Sequence, residues 1–238
     1  MTGSLALVHA SAGFRRSKAV FRTAPLWHDV SMNKTSTPAT KRALRREILR
    51  ARRETYVAEA ARESAARIRF HLEQSIDPWI EAAGRPFVIA GYSPVPAEAS
   101  ALTWLRRQAR SGHTVILPTF EGELLGWRAW DGEEVLAPSG GAKFGSEPSG
   151  ESFGTEGLAR ADLIITPAVA VDRSGTRLGH GKGYYDRALA HARPGTRVLT
   201  LIHETELLDF DALPREPHDV PIPEVLTESG LVSLKTPS

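Results

Sequence analysis

The feature of the sequence that most limits its fold is the alternation of short apolar runs with helical segments. Apolar runs of four to six residues occur at 87–92, 114–117, 163–166 and 197–202. Segments near them carry apolar residues at helical spacing, for example Leu102, Leu105 and Ala109. Strands that alternate with helices predict an α/β fold, in which helices pack on both faces of a sheet.

Prolines, glycines and polar residues predict where these elements begin and end. Thr40 is predicted to cap a helix over Lys41 to Arg53, and Pro118 is predicted to end the second strand. Residues 124–130 resemble an edge strand, and residues 138–157, rich in Gly, Ser and Pro, are predicted to form a long loop. The chain of 238 residues suits one α/β domain, or at most two small ones.

Composition excludes several kinds of chemistry. The chain has no cysteine, so thiol nucleophiles, disulfides and thiolate metal sites are excluded, which is compatible with a reducing cytoplasm. The longest apolar runs, at 163–165 and 198–202, are far too short to cross a bilayer. We therefore expect no membrane partner.

Residues 1–37 differ in composition from the rest of the chain. Four basic residues between positions 15 and 22 stand against one acid, Asp29, and no apolar period is sustained. A disordered tail, or a true translation start at Met32, is the favoured interpretation. An organellar transit peptide within 1–31 is the alternative, because such segments are rich in arginine and poor in acids. Residues 38–238 are expected to form the single domain.

The segment from Lys41 to Arg53 carries seven basic residues and one acid, Glu47. On a helix, Lys41 and Arg45 are four residues apart and therefore share one face. Such a run is most often a solvated face, but it can also bind anions. A nucleic-acid-binding module that uses this helix is a further interpretation, although no other nucleic-acid motif accompanies it.

The most informative segment is Asp172 to Arg187, which reads DRSGTRLGHGKGYYDR. Its alternating glycines let backbone N–H groups approach an anion, and Arg177 and Lys182 add positive charge. A helix predicted to begin near Tyr184 would direct its positive end at the loop. The segment is neither a P-loop nor a dinucleotide fingerprint. It indicates a phosphate cradle, and the alternative is a tight turn with solvated charges.

The run RLGHGKGYYD, residues 177–186, resembles the signature segment of the 5-formyltetrahydrofolate cyclo-ligase family. Further family-like segments occur in the expected order: Lys41 to Arg45, Tyr92 to Pro94 with Glu98, Leu117-Pro118, Trp127 with Trp130, Phe144-Gly145 with Glu147-Pro148, and His218 to Val220. The resemblance covers roughly residues 38–230.

The resemblance implies a three-layer α/β sandwich with a mostly parallel sheet, of the sugar-phosphate isomerase and CoA transferase type. It also implies a reaction, in which ATP phosphorylates the formyl oxygen of 5-formyltetrahydrofolate and a second folate nitrogen attacks the activated carbon. Phosphate leaves, and 5,10-methenyltetrahydrofolate and ADP are the other products. The implied partners are these small molecules and Mg²⁺, and the implied enzyme is a cytoplasmic monomer that binds no nucleic acid.

Site residues follow from the resemblance by position. Catalysis is assigned to Lys41, Arg177, Lys182 and Tyr184. ATP binding is assigned to Lys41, Arg42, Arg45, Arg177, Leu178, Gly179, His180, Gly181, Lys182, Gly183, Tyr184 and Tyr185. Folate binding is assigned to Arg45, Ser93, Glu98, His180, Gly181, Lys182, Gly183 and Tyr184. Magnesium is assigned to Asp186 and Asp219, whereas His218 is interpreted as structural.

Two positions depart from the pattern of the family. Ser100 stands where family members commonly have an acid, and Thr119 stands where a basic residue often follows the Leu-Pro pair. These departures support an alternative function, a catalytically weak folate-binding relative with the same fold. Glu98 also has a structural alternative, as a cap or first-turn acid of the helix that follows it.

Overall fold

A mixed sheet of eight strands forms the centre of the described chain, in a computed structural model that describes residues 38–138, 145–216 and 219–234. The helices are α1 Pro38–Thr55, α2 Ala58–Ser75, α3 Asp77–Ala82, α4 Leu102–Arg110 and α5 Tyr184–Leu189. The first strands are β1 Val88–Ala90, β2 Thr114–Glu121, β3 Leu124–Trp130, β4 Ala137–Pro138, β5 Ser146–Glu147 and β6 Ser152–Gly154. The later strands are β7 Leu163–Pro167, β8 Ala170–Asp172, β9 Arg177–Leu178, β10 Arg197–Leu201, β11 Leu207–Leu208, β12 Glu224–Thr227 and β13 Gly230–Ser233. Short 3-10 helices cover Thr155–Arg160 and Glu204–Glu206.

The order of the strands confirms the predicted fold class. The large sheet runs β13-β12-β10-β7-β1-β2-β3-β6, and its five neighbouring strands from β12 to β2 are parallel. Antiparallel strands extend it on both sides, through β13 and through β3 with β6. Two smaller sheets have the strand orders β11-β8-β9 and β4-β5.

Neighbouring residues along the central strands point into opposite cores, because side chains alternate across a strand. One core contains Ile89, Val115 and Leu163 from the sheet with Ile68, Leu72, Ile80, Trp104 and Leu105 from α2, α3 and α4. The other contains Ala90, Ile116 and Ile164 with Leu158 from the first 3-10 helix and Ala188 and Leu189 from α5. Helical layers thus cover both faces of the sheet, which is the three-layer arrangement that was predicted.

Several predicted boundaries are wrong. Pro118 does not end β2, which continues to Glu121. The parallel pairing with β1 stops at Ile116, and Pro118 is paired with Trp127 of the antiparallel strand β3. A proline is tolerated there because no parallel neighbour needs its missing N–H. β3 is not an edge strand, since β6 pairs with it. Thr40 lies inside α1 rather than at its cap.

The predicted long loop over 138–157 is also corrected in part. Within it, β5, β6 and the start of the first 3-10 helix are ordered elements, while residues 139–144 lie outside the described residues. The predicted extension, residues 1–37, lies outside them as well, so its interpretation stays a prediction. In the described ranges, no helix has the length and apolar character that crossing a membrane requires.

Candidate active site

Loops that follow four parallel strands meet at one end of the sheet. Parallel strands bring their carboxyl ends to the same edge, and ligands of open α/β sheets bind there. Glu98 follows β1, the carbonyls of Ala168 and Val169 follow β7, His203 follows β10 and Glu228 follows β12. His203 joins the loops after β10, β12 and β1, because its ring nitrogens lie 2.6 Å from Glu228 Oε1 and 3.0 Å from the Ala97 carbonyl.

The glycine loop between β9 and α5 is held in place by a buried carboxylate. Asp172 is fully buried and accepts backbone N–H groups of Ser174, Thr176 and Leu213 at 3.0 Å each. It thereby fixes the β8–β9 turn that delivers Arg177 to the loop. α5 begins at Tyr184, as the sequence predicted, and Gly183 precedes it with φ 66°.

Helix α1 packs directly against this loop through Arg45. Arg45 Nε donates to the Gly179 carbonyl at 2.7 Å. Gly181 has φ 93°, and a Cβ at that position would lie 3.3 Å from the Arg45 guanidinium carbon. Both facts require glycine at 181, because L-residues avoid this region of φ and the guanidinium fills the space. The structure thus brings the basic helix against the glycine loop, two segments to which the resemblance assigned ATP binding.

Lys41 lies on the same face of α1, one turn before Arg45. Its Nζ is 3.2 Å from Asp219 Oδ2 and 3.3 Å from Glu216 Oε2, and only 12% of its side chain is exposed. Burial lowers the pKa of the Arg45 guanidinium, while Glu216 and then Asp219 act to raise it. An arginine stays charged under such influences, so two cations and two acids share this corner of the site. Arg42, the next residue, is exposed.

Arg177 is buried beneath the glycine loop. Its guanidinium donates to Asp186, it lies 5.9 Å from the centre of the Tyr185 ring, and its Nη1 would be 3.1 Å from a Cβ on Gly179. Its Nε has no hydrogen-bond partner among the described residues. The cation thus supports the loop from below, and Asp186 is its counter-ion.

The outer side of the loop is held by α5 and the β2–β3 turn. Tyr184 donates to the Gly122 carbonyl at 3.2 Å, and its ring packs edge-on against Phe120. His180 and Lys182 are exposed. Backbone N–H groups with two cationic or titratable side chains around them suit a bound anion.

The predicted substrate loop reaches this glycine loop through Glu98. The Glu98 side chain is 5% exposed, and its Oε1 lies 3.5 Å from His180 Nε2. Its Oε2 accepts the Val95 N–H at 3.0 Å, so the carboxylate also closes its own turn. Burial, and then the Glu98 carboxylate, raise the pKa of Tyr185, whose phenol consequently stays neutral.

A cavity of about 350 Å³ opens beside the predicted substrate loop. It is lined by Ser93, Pro94, Leu102, Arg106, Trp130 and Leu136, among others. Ser93 Oγ accepts the Ser146 N–H at 3.3 Å, and Gly145 sits so close to the Ser93 carbonyl that a Cβ would be 2.6 Å from it. The volume is within the range of small-molecule sites. Phe144 and His218, two further residues of the sequence prediction, lie outside the described residues.

The two predicted metal ligands, Asp186 and Asp219, pair with different cations. Asp186 pairs with Arg177, whereas Asp219 binds Lys41 and accepts the Glu216 N–H at 2.8 Å. Across residues 38–138, 145–216 and 219–234, no group of three or more His, Asp or Glu side chains is arranged around a metal position. Whether either acid contacts magnesium stays a prediction.

Sequence reasoning missed the third inward-facing cation of α1. Arg52 is buried, and it bonds Glu206 together with the carbonyls of Ala168 and Val169. A signal for it was present, because Lys41, Arg45 and Arg52 are spaced by four and seven residues and so lie along one stripe of the helix.

Fold and site together define an α/β protein whose basic, glycine-rich loop suits an anion. The chain belongs to the 5-formyltetrahydrofolate cyclo-ligase family, whose model matches residues 37–228.

Relatives support this membership over most of the chain. A 5-formyltetrahydrofolate cyclo-ligase of Mycolicibacterium smegmatis is 35% identical over 210 residues, which cover 84% of this chain and 100% of the relative. One from Escherichia coli K12 is 42% identical over 73 residues, or 30% of this chain and 39% of the relative.

Solved structures agree with the fold. The 5,10-methenyltetrahydrofolate synthetase of Aquifex aeolicus superposes with a TM-score of 0.65 at 27% identity, covering 83% of this chain and 94% of that one. The enzyme of the same name from Mycoplasma pneumoniae gives 0.60 at 19% identity, over 79% and 98%, and supports the fold alone.

Proposed function

We propose that this protein converts 5-formyltetrahydrofolate and ATP into 5,10-methenyltetrahydrofolate, ADP and phosphate. The formyl oxygen takes the γ-phosphoryl group of ATP, and the second folate nitrogen attacks the activated carbon. The C–O bond then breaks, and the oxygen leaves as phosphate. The observation that carries this proposal is the contact between Glu98 and His180, which joins an anion-binding loop to a carboxylate that can bind the folate.

The nucleotide side of the site supplies positive charge rather than a nucleophile. Phosphoryl transfer is catalysed mainly by positioning and by charge stabilisation. We propose that the N–H groups of the glycine loop and Lys182 bind the phosphates, while Lys41 and Arg177 neutralise the charge that develops. Tyr184 fixes the outer wall through its bond to the Gly122 carbonyl.

The folate side is built around Glu98 and the cavity beside Ser93. A buried carboxylate can accept hydrogen bonds from the amine and ring N–H of a pterin, and aromatic and aliphatic walls can hold the ring. Trp130 and Leu136 give this cavity such walls. In this proposal the folate formyl group faces the phosphates, because His180 of the glycine loop contacts Glu98.

We propose that magnesium enters as part of the nucleotide substrate. ATP brings phosphate oxygens, and Mg²⁺ needs only one or two carboxylates beyond them. Asp186 and Asp219 remain the proposed contacts, although each now has a cation of its own in Arg177 and Lys41. The enzyme is further proposed to be a cytoplasmic monomer with small-molecule partners only.

The proposed activity is tested by the formation of the methenyl chromophore. Purified protein with 5-formyltetrahydrofolate, ATP and magnesium is expected to form it, and leaving out ATP is expected to abolish it. A well-folded sample that binds the folate but forms no chromophore would support the weak folate-binding relative instead.

A nucleic-acid-binding function is tested separately. Four arginines of α1, namely Arg42, Arg46, Arg50 and Arg53, are exposed, whereas Lys41, Arg45 and Arg52 are turned to partners inside the fold. If the exposed face bound DNA or RNA, affinity would fall steeply as salt rises. Binding of that kind at physiological salt would favour this alternative.

Glu216→Gln is expected to lower the KM for ATP about two- to fivefold. The carboxylate lies 3.3 Å from Lys41 Nζ, so it competes with phosphate for that cation. A partly exposed ion pair contributes up to about 1 kcal/mol, which sets the size of the effect. Steady-state kinetics with saturating folate measures it, with Glu59→Gln, an exposed acid of α2, as the control. A higher KM for ATP would show that Glu216 organises Lys41 instead of competing for it.

A further inference from the structure

Among the residues that the structure describes, Arg52 is the most deeply buried cation that the proposed mechanism does not use. Its side chain is 2% exposed. Nε bonds Glu206 Oε1 at 2.5 Å, and Nη2 bonds Glu206 Oε2 at 2.9 Å and the Ala168 carbonyl at 2.7 Å. These bonds fix the guanidinium plane between the loops that follow β7 and β10. Such a fork requires arginine, because lysine has one donor atom and no plane.

One nitrogen of this guanidinium, Nη1, takes no part in these bonds and is directed at the loop that carries Glu98. Nη1 is buried and has no hydrogen-bond partner among the described residues. Glu98 Oε1 lies 3.8 Å from it. A buried donor without a bond is costly, and so is a buried carboxylate without a cation. The Arg52 guanidinium and the Glu98 carboxylate therefore reduce each other's cost of burial as long as Glu98 keeps this position next to Arg52.

The backbone around Glu98 is held by the same buried layer. Ala97 has φ 64°, a conformation that L-residues adopt at some cost. His203 donates to its carbonyl at 3.0 Å, and Tyr92 donates to the Ala99 carbonyl two residues later. Glu98 is thus fixed by neighbours on both sides and by a cation behind it, while His180 faces it from the side of the glycine loop.

We propose that Arg52 is a positioning residue for folate binding, which holds the Glu98 carboxylate in the orientation that receives the substrate. The inference rests on the proposed function, because it takes Glu98 as a folate ligand. Burial acts to lower the pKa of Arg52, but Glu206 and then Glu98 outweigh this and raise it, so the cation is permanent. In this proposal Arg52 acts through Glu98 and does not bind the nucleotide.

The test removes Arg52 together with Glu206, so that this carboxylate is not left as an unpaired buried charge. Arg52→Met combined with Glu206→Leu replaces a buried ion pair by apolar side chains, which is tolerated far better than the loss of one member. We expect the KM for 5-formyltetrahydrofolate to rise at least about tenfold, and the KM for ATP to change less than about twofold. Tenfold corresponds to about 1.4 kcal/mol of binding free energy.

A matched control separates positioning from general loss of stability. Ile80→Ala opens the core at α3, an element outside both site loops, and is expected to lower the melting temperature without changing the KM for folate. The rise in the KM for folate caused by Arg52→Met with Glu206→Leu should also vanish when Glu98 is already replaced by Gln, because the effects of coupled residues are not additive. Equal rises in both KM values, or full additivity with Glu98→Gln, would overturn the proposal.

Folate binding without turnover keeps this inference distinct from the proposed activity. Trp130 lines the cavity, so its fluorescence reports binding of 5-formyltetrahydrofolate in the absence of ATP. If the wild-type protein binds the folate but forms no product, the proposed reaction fails. The Arg52 inference then stands or falls on whether the double variant weakens that binding about tenfold.

Discussion

Lys41→Ala is expected to weaken ATP binding about 10- to 150-fold while leaving folate binding within a few fold. A charged hydrogen bond to phosphate contributes about 1.5–3 kcal/mol, and each 1.4 kcal/mol is a factor of ten in affinity. Lys41 is well placed for this role because its side chain is only partly exposed, pairs with Asp219 and Glu216, and lies one helical turn before Arg45, which bonds the glycine loop. Nucleotide titration by calorimetry measures the effect directly.

Arg42→Ala is the control for this variant. Arg42 has the same charge, is adjacent in sequence and is exposed on α1, so its removal is expected to reduce affinity far less. Equal losses of affinity in the two variants would contradict a specific contact of Lys41 with phosphate. They would indicate that α1 attracts ATP only through its total positive charge. A comparison at low and high salt separates these cases, because exposed charges are screened more strongly.

Local patterns in the sequence were enough to predict the frame of the site. The spacing of Lys41 and Arg45 predicts a shared helix face, and in the structure Arg45 bonds the glycine loop while Lys41, one turn before it, pairs with Asp219. The start of α5 at Tyr184 follows from the glycine before it, since helix entry is a short-range property. The mostly parallel sheet follows from the alternation of strands and helices.

The partners of the charged residues could not be predicted in the same way. Arg52 and Glu206 are 154 residues apart, and only the order of the strands brings the loops after β7 and β10 to that helix. The resemblance assigned Asp186 to magnesium, and nothing in the sequence predicted that it also binds Arg177 on the other side of the loop. Arg187 donates to the Glu123 carbonyl. Long-range pairing depends on packing, which no local pattern contains.

Asp186→Asn is expected to give a folded protein whose turnover is lower by about tenfold or more, equivalent to at least about 1.4 kcal/mol in the barrier. The substitution keeps the shape of the side chain but removes its charge. Two physical routes lead to this loss. In one, Asp186 contacts the magnesium that ATP carries. In the other, its carboxylate holds Arg177 beneath the glycine loop, where that cation is almost fully buried.

The dependence on magnesium separates the two routes. If a metal contact is lost, raising magnesium partly restores turnover, since the remaining oxygens still bind the ion with lower affinity. If Arg177 is misplaced, magnesium restores nothing and the KM for ATP rises, because the loop no longer presents its N–H groups to the phosphates. Asp209→Asn, at an exposed acid after β11, is the control for loss of one negative charge. A role confined to the helix terminus predicts a different result: a loss of only about 0.3–1 kcal/mol in unfolding free energy, with near-normal turnover.

Turnover measured across magnesium concentrations, together with thermal unfolding of both variants, therefore assigns Asp186 to one of three roles. Normal turnover with an unchanged magnesium requirement would remove Asp186 from the site.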